Sequence, residues 1–184
     1  MQEVANLCVD RMLEEKLIAS EDREVYFYGI EVLISLGSSL LVSIILGSLF
    51  GYLPQTLAFL AAFLPTRCCI GGYHAPTPGK CFLLSMAVFV PSIYFGEQLN
   101  PLLSPLLITI SIAMIFKLAP AIHPNHPFSE IHMPILAKRA RLVGIIEGIA
   151  IMVRTFYQPD YASTMSLAFF AACIGLAIPN FVNQ

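Results

Sequence analysis

From Ile30 to Tyr52 the chain runs 23 positions with a single charge, Glu31. About 20 apolar residues is the length that carries a helix across the hydrocarbon core of a bilayer. Shorter apolar runs follow at 53–64, 81–96, 101–118, 142–157 and 162–179. With no water in the bilayer to satisfy backbone groups, such segments must close their own hydrogen bonds as helices. Composition agrees: 57% of the 184 residues are hydrophobic and 12% charged, against about 25% charged in soluble domains. The expected fold is therefore all-α, a polytopic membrane helical bundle of about six transmembrane helices forming one integral membrane domain over 1–184. Runs shorter than a full crossing require local bilayer thinning or a water-filled cavity.

The stretch 1–29 is the one long polar segment, with seven acids set among Arg11, Lys16 and Arg23. Val4, Leu7, Cys8 and Met12 recur at helical spacing, which fits either an amphipathic helix on the bilayer surface or an arm packed on the bundle. Its acidic start and missing apolar core do not fit a cleavable signal peptide. A net charge of −2 without a basic face gives no reason to expect nucleic acid as a partner.

Charge in the junctions sets an orientation. The segments 1–29, 67–80 and 117–141 hold nine of the ten Lys and Arg residues; Arg154 is the other. By the positive-inside rule these segments face the cytoplasm, together with both termini, in a multi-pass cell-membrane protein.

One of those junctions concentrates reactive chemistry. Between Arg67 and Cys81 lie three cysteines, three glycines, two prolines and His74. His74 and Cys81 are the minimal pair for thiol nucleophilic catalysis. On an unbroken helix seven residues separate them by about 10 Å, beyond hydrogen-bond reach. Pro76, Pro78 and Gly79 argue against that unbroken helix. The pattern predicts Thr77 as N-cap and Pro78 as first helical residue, with Cys81 on or just past the first turn. A helix N-terminus and a neighbouring cation such as Lys80 both favour a thiolate in general. His74 then belongs to the preceding loop, where Gly71 and Gly72 permit backbone conformations closed to other residues. Arg67 either clamps a carboxylate or carbonyl or anchors the span to lipid phosphate. From these residues alone a catalytic pair and a structural pair both stay open, and Cys8, Cys68, Cys69 and Cys173 read as reduced thiols with structural roles.

Arg67, Gly71-Gly72, His74 and Cys81, followed by Phe82-Leu83-Leu84-Ser85, resemble the AgrB family of membrane cysteine peptidases. Leu118-Ala119-Pro120 with Pro127, and the basic residues Lys138, Arg139 and Arg141, are similar to later features of that family. The resemblance implies a Gram-positive bacterial enzyme that cleaves an AgrD-like quorum-sensing propeptide. Cys81 is then the nucleophile, His74 the general base and acid, and the signal segment cyclises from a thioester on Cys81 into a thiolactone or lactone. Arg67, Gly71, Gly72, Lys138, Arg139 and Arg141 become supporting or substrate-binding residues, with anionic membrane lipid a second partner for the basic stretch. The resemblance also admits a homodimer. Glu147, a charge inside the 142–157 run, is a functional-site residue by default, orienting His74, binding substrate or pairing within the bundle. No cofactor is implied. His123, His126 and His132 depart from the family's lysine-rich loop, and their spacing matches no ordered metal-ligand set. The alternative from another class is a small membrane peptide transporter or exporter without proteolytic activity.

Overall fold

In a computed structural model, residues 2–71, 77–120 and 133–182 are described, and 89% of these described residues are helical. The elements in order are α1 (Gln2–Glu14), α2 (Arg23–Leu49), α3 (Leu53–Ile70), α4 (Pro78–Gly96), α5 (Ser104–Leu118), α6 (Met133–Tyr157) and α7 (Pro159–Val182). The protein is an all-α membrane bundle. Four of these helices, α2, α3, α4 and α7, are long and apolar enough to cross a membrane; α5 is apolar but shorter, at 15 residues. At 25 residues, α6 has the length to cross and carries Glu147 and several cations along it.

The core gathers around α7, whose Ala162, Ala168, Phe169, Ala172, Cys173 and Leu176 are buried. That helix packs against α3, α4, α5 and α6. Small residues set the distances between helices, as expected where lipid supplies no hydrophobic push between them. Gly144 and Gly148 on α6 face Ile115, Ile108 and Ile112 of α5, and a β-carbon at either would meet an isoleucine methyl at 2.7–2.8 Å. Gly96 at the end of α4 lies against Thr164 of α7, and Gly47 of α2 against Thr56 of α3. Along α2 the buried residues are Ser35, Ser39, Ser43 and Gly47, one per turn, with the Ser39 hydroxyl returned to the Ser35 carbonyl at 2.9 Å.

At the N-terminus, α1 lies on α2 through Ala5 and Val9, which are fully buried. Arg23 fastens the contact by donating to Asn6 at 3.1 Å and Asp10 at 2.8 Å. Val4 and Leu7 point away from the bundle.

Two elements differ from the sequence expectation. The second span does not stop at Leu64: α3 continues through Pro65 and Arg67 to Ile70. A proline takes away one backbone donor, and neighbouring helices compensate for that in a membrane bundle. The basic residues Lys138, Arg139 and Arg141 are not in a loop; α6 begins at Met133 and carries them on its early turns. A helix that keeps its first turns at the bilayer surface tolerates cations there.

Candidate functional site

The start of α4 follows from its sequence. Thr77 is extended and its hydroxyl accepts from the Lys80 amide at 3.3 Å, while Pro78, which lacks a donor, takes the first helical position. The Cys81 amide makes the first intrahelical bond, to the Thr77 carbonyl at 3.0 Å. Cys81 is thus in the opening turn of α4, partly exposed, and its own carbonyl accepts from the Ser85 hydroxyl at 3.0 Å.

Across from it, α3 ends at Gly71, whose φ of 71° and ψ of −146° belong to a region open in practice only to glycine. Arg67 Nη1 donates to the Gly71 carbonyl at 3.2 Å, so the guanidinium folds back over the end of its own helix. The same group packs on α7 at Gly175, where an added β-carbon would come within 2.8 Å of Nη1. Glycine there is what leaves the guanidinium its room. Arg67 lies within electrostatic reach of Cys81, Cys68 and Tyr28, and Tyr28 within reach of Cys81 and Glu31. Three helices, α2, α3 and α4, therefore bring a phenol, a guanidinium and a thiol to one end of the bundle.

The other expected residues are distributed as follows. His74 and Gly72 lie outside the described residues, as do His123, His126 and His132. Glu147 is buried on α6, and its carboxylate accepts from the Thr66 hydroxyl of α3 at 2.8 Å, next in sequence to Arg67. Lys138, Arg139 and Arg141 are exposed, and Arg141 sits 5.3 Å above the Phe116 ring, tying α6 to α5. Cys68 and Cys8 are exposed, Cys69 is partly exposed and Cys173 is buried, all four as free thiols. The continuation of α3 past Pro65 turns Cys68 outward, and the contact of α1 through Ala5 and Val9 leaves Cys8 on the outer side. Among the described residues no group of three His, Cys, Asp or Glu side chains is placed to hold a metal ion.

With this arrangement in view, comparison with known proteins is informative. The family described as Accessory gene regulator B matches residues 5–177. The chain belongs to the AgrB family. An AgrB-like protein of Clostridium acetobutylicum is 25% identical over 135 residues, 72% of this chain. The chain spans 63% of the length of that curated relative. No solved structure matches it.

Within this AgrB-family chain, sequence reasoning missed Tyr28, Thr66 and Gly175. Tyr28 carries a faint signal, an aromatic residue where a span meets the interface and three positions before Glu31. Thr66 and Gly175 carry none, because each acquires its role from a residue on another helix.

Proposed function

We propose that this chain is a membrane-embedded cysteine endopeptidase that removes the C-terminal part of an AgrD-like propeptide. The observation that carries this reading is Cys81 in the capped first turn of α4, in the same electrostatic neighbourhood as Arg67 and Tyr28. Membership of the AgrB family supports a role in accessory gene regulator peptide processing.

The steps follow from the residues. His74, three positions before the Thr77 cap, takes the Cys81 proton, and the Cys81 sulfur attacks the scissile carbonyl carbon. The C–N bond breaks, the leaving amine takes the proton from His74, and a thioester remains on Cys81. A thiol or hydroxyl inside the bound segment then gives its proton to His74 and attacks the thioester carbonyl. The C–S bond breaks, a thiolactone or lactone closes, and His74 returns the proton to Cys81. Of the amides at the start of α4, those of Lys80 and Cys81 are bonded to Thr77, which leaves the Gly79 amide as the candidate donor for the oxyanion in both halves. The internal nucleophile must outrun water, which requires the bound segment to be held bent over Cys81 with solvent excluded.

Arg67 has the geometry to hold a substrate carbonyl or carboxylate beside Gly71. Lys138, Arg139 and Arg141 present cations at the same membrane face for an acidic propeptide tail or for anionic lipid. In this reading the Cys81 end and both termini face the cytoplasm of a Gram-positive cell.

The test is co-expression with a candidate propeptide, cleavage being followed by gel and mass spectrometry. The parent yields two fragments and, on trapping, an adduct on Cys81, whereas Cys81→Ser and His74→Ala yield uncut propeptide. If both variants process the propeptide as the parent does, the chain is not a peptidase of this kind. An adduct mapping to Cys68 or Cys69 would reassign the nucleophile.

A further inference from the structure

One polar group at the Cys81 end, the Tyr28 phenol, has no task in the steps above. It arrives on the inward face of α2. The buried residues of that helix are Ser35, Ser39, Ser43 and Gly47. Followed back at about 100° per residue, the same seam takes in Glu31 and Tyr28, each within about 40° of Ser35. Glu31 Oε1 is shielded from solvent and Tyr28 is partly buried, as a face turned toward the bundle requires. The helices that α2 packs against include α3 and α4.

Depth agrees with direction. Both α2 and α4 begin at this end of the bundle, at Arg23 and Pro78. A rise of about 1.5 Å per residue sets Tyr28 about 8 Å and Cys81 about 5 Å beyond those starts. The phenol thus comes level with the thiol, within electrostatic reach of both Cys81 and Arg67.

What the Cys81 end lacks is a second donor for the oxyanion. When the sulfur adds to the scissile carbonyl, an electron pair of the C=O bond moves onto oxygen. Acyl-transfer sites meet that charge with fixed donors, and removing one costs about 100- to 1000-fold in kcat. At the start of α4, Pro78 has no N–H to offer. The Lys80 and Cys81 amides both go to Thr77, which leaves the Gly79 amide. The Arg67 guanidinium is engaged in part, its Nη1 donating to the Gly71 carbonyl. A phenol suits the remaining position, because it offers one O–H donor and keeps its proton at neutral pH.

We infer that Tyr28 is a catalytic residue, its hydroxyl donating to the oxyanion from α2 while the Gly79 amide donates from α4. The hydroxyl keeps its proton throughout. Its hydrogen bond tightens as the C–S bond forms and relaxes as the C–N bond breaks and the carbonyl returns. It acts again when the internal nucleophile opens the thioester. The inference rests on the peptidase reading and deepens it.

The experiment uses the full chain in phosphatidylcholine nanodiscs with the propeptide that the parent cuts in co-expression. Tyr28→Phe removes the hydroxyl and keeps the ring. It should lower kcat about 100-fold, with KM within about threefold and the unfolding midpoint unchanged. Tyr26→Phe, at an exposed tyrosine on another face of α2, should hold kcat within about twofold. Alkylation of Cys81 by iodoacetamide, mapped by mass spectrometry, separates an oxyanion role from an effect on the thiol. In Tyr28→Phe it should keep the parent's rate and pH dependence. A kcat within about threefold of the parent, a loss confined to KM, or an equal loss in Tyr26→Phe would overturn the assignment. So would a midpoint or an alkylation rate that falls together with kcat. In each of those cases the peptidase reading survives. If the parent cuts no propeptide, or Cys81→Ser cuts as well as the parent, that reading fails and the assignment goes with it.

Discussion

Where α3 finishes and α4 begins, the bundle presents Arg67, Tyr28 and the Cys81 thiol; where α3 begins and α4 finishes, it presents Gln55 bonded to Glu97. The same two helices thus have reactive and cationic residues at one end and carboxylates at the other. The first end is built on a helix cap and a glycine that releases the chain from α3. The second is built on two helix ends that merely meet, leaving a cleft. The contrast teaches that local backbone design, a cap at Thr77 and positive φ at Gly71, is concentrated at the end that holds Cys81.

This contrast can be broken or sharpened by four measurements. The largest effect separates the two arginines that mark the ends. Arg67→Leu should lower propeptide cleavage about 30- to 160-fold, the rate equivalent of losing a charge-assisted contact of about 2–3 kcal/mol. Arg154→Leu, which breaks a bond to Gln158 alone among those described, should leave cleavage within about twofold, its contact being an exposed polar one. Equal effects at both ends would mean that Arg67 acts only on folding.

Next comes Gly96→Ala. The new β-carbon would lie 3.0 Å from the Thr164 α-carbon, part of a backbone that has little room to yield. A loss of about 1–3 kcal/mol is expected from such overpacking, read as a lower unfolding midpoint in detergent. An unchanged midpoint would show that α4 and α7 separate freely at the cleft.

Thr66→Val removes the donor to the buried Glu147 carboxylate. The expected cost is about 1–2 kcal/mol, an interhelical hydrogen bond inside a bundle together with the acceptor it strands. Thr66→Ser should recover most of it in the same unfolding assay. Should Val and Ser behave alike, the bond is not what joins α3 to α6.

The smallest effect has the opposite sign. A β-carbon at Gly79 meets nothing within 4 Å, and the residue lies in the first turn of α4. Gly79→Ala should therefore stabilise the helix start by about 0.5–1 kcal/mol, since glycine is the poorer helix former. Destabilisation would show that the link before α4 needs the freedom glycine gives it.

How far the sequence reaches depends on whether the deciding forces are local. The all-helical membrane bundle follows from run length and composition. The opening of α4 was legible to the residue, because Thr77 capping and Pro78 at the first position are properties of neighbouring residues. Other features were not legible, for the complementary reason. Whether Pro65 ends a helix depends on what surrounds it, and the bundle carries α3 onward to Ile70. The basic stretch at 138–141 looked like loop because its charges interrupt an apolar run; α6 has simply started earlier, at Met133. Within the candidate site, Cys81 and Arg67 could be named from spacing and motif. Tyr28 arrives from α2, and Gly175 from a helix more than a hundred positions downstream of Arg67. No local pattern announces either.

The hydrogen bond between Thr66 and Glu147 also bears on how the protein is made. If α6 crosses the bilayer with its neighbours, it leaves the aqueous insertion channel for lipid while carrying an ionisable side chain along its length. Unaided, such a residue near mid-membrane opposes partitioning by about 2.5–3.5 kcal/mol. Its hydroxyl partner lies 81 positions earlier in the chain, on a helix that has already left the ribosome. Gly144 and Gly148 offer α5, the helix made just before, a surface on which to receive α6. Chain order thus has both partners of α6, the Thr66 hydroxyl of α3 and the isoleucine face of α5, synthesised before α6 itself.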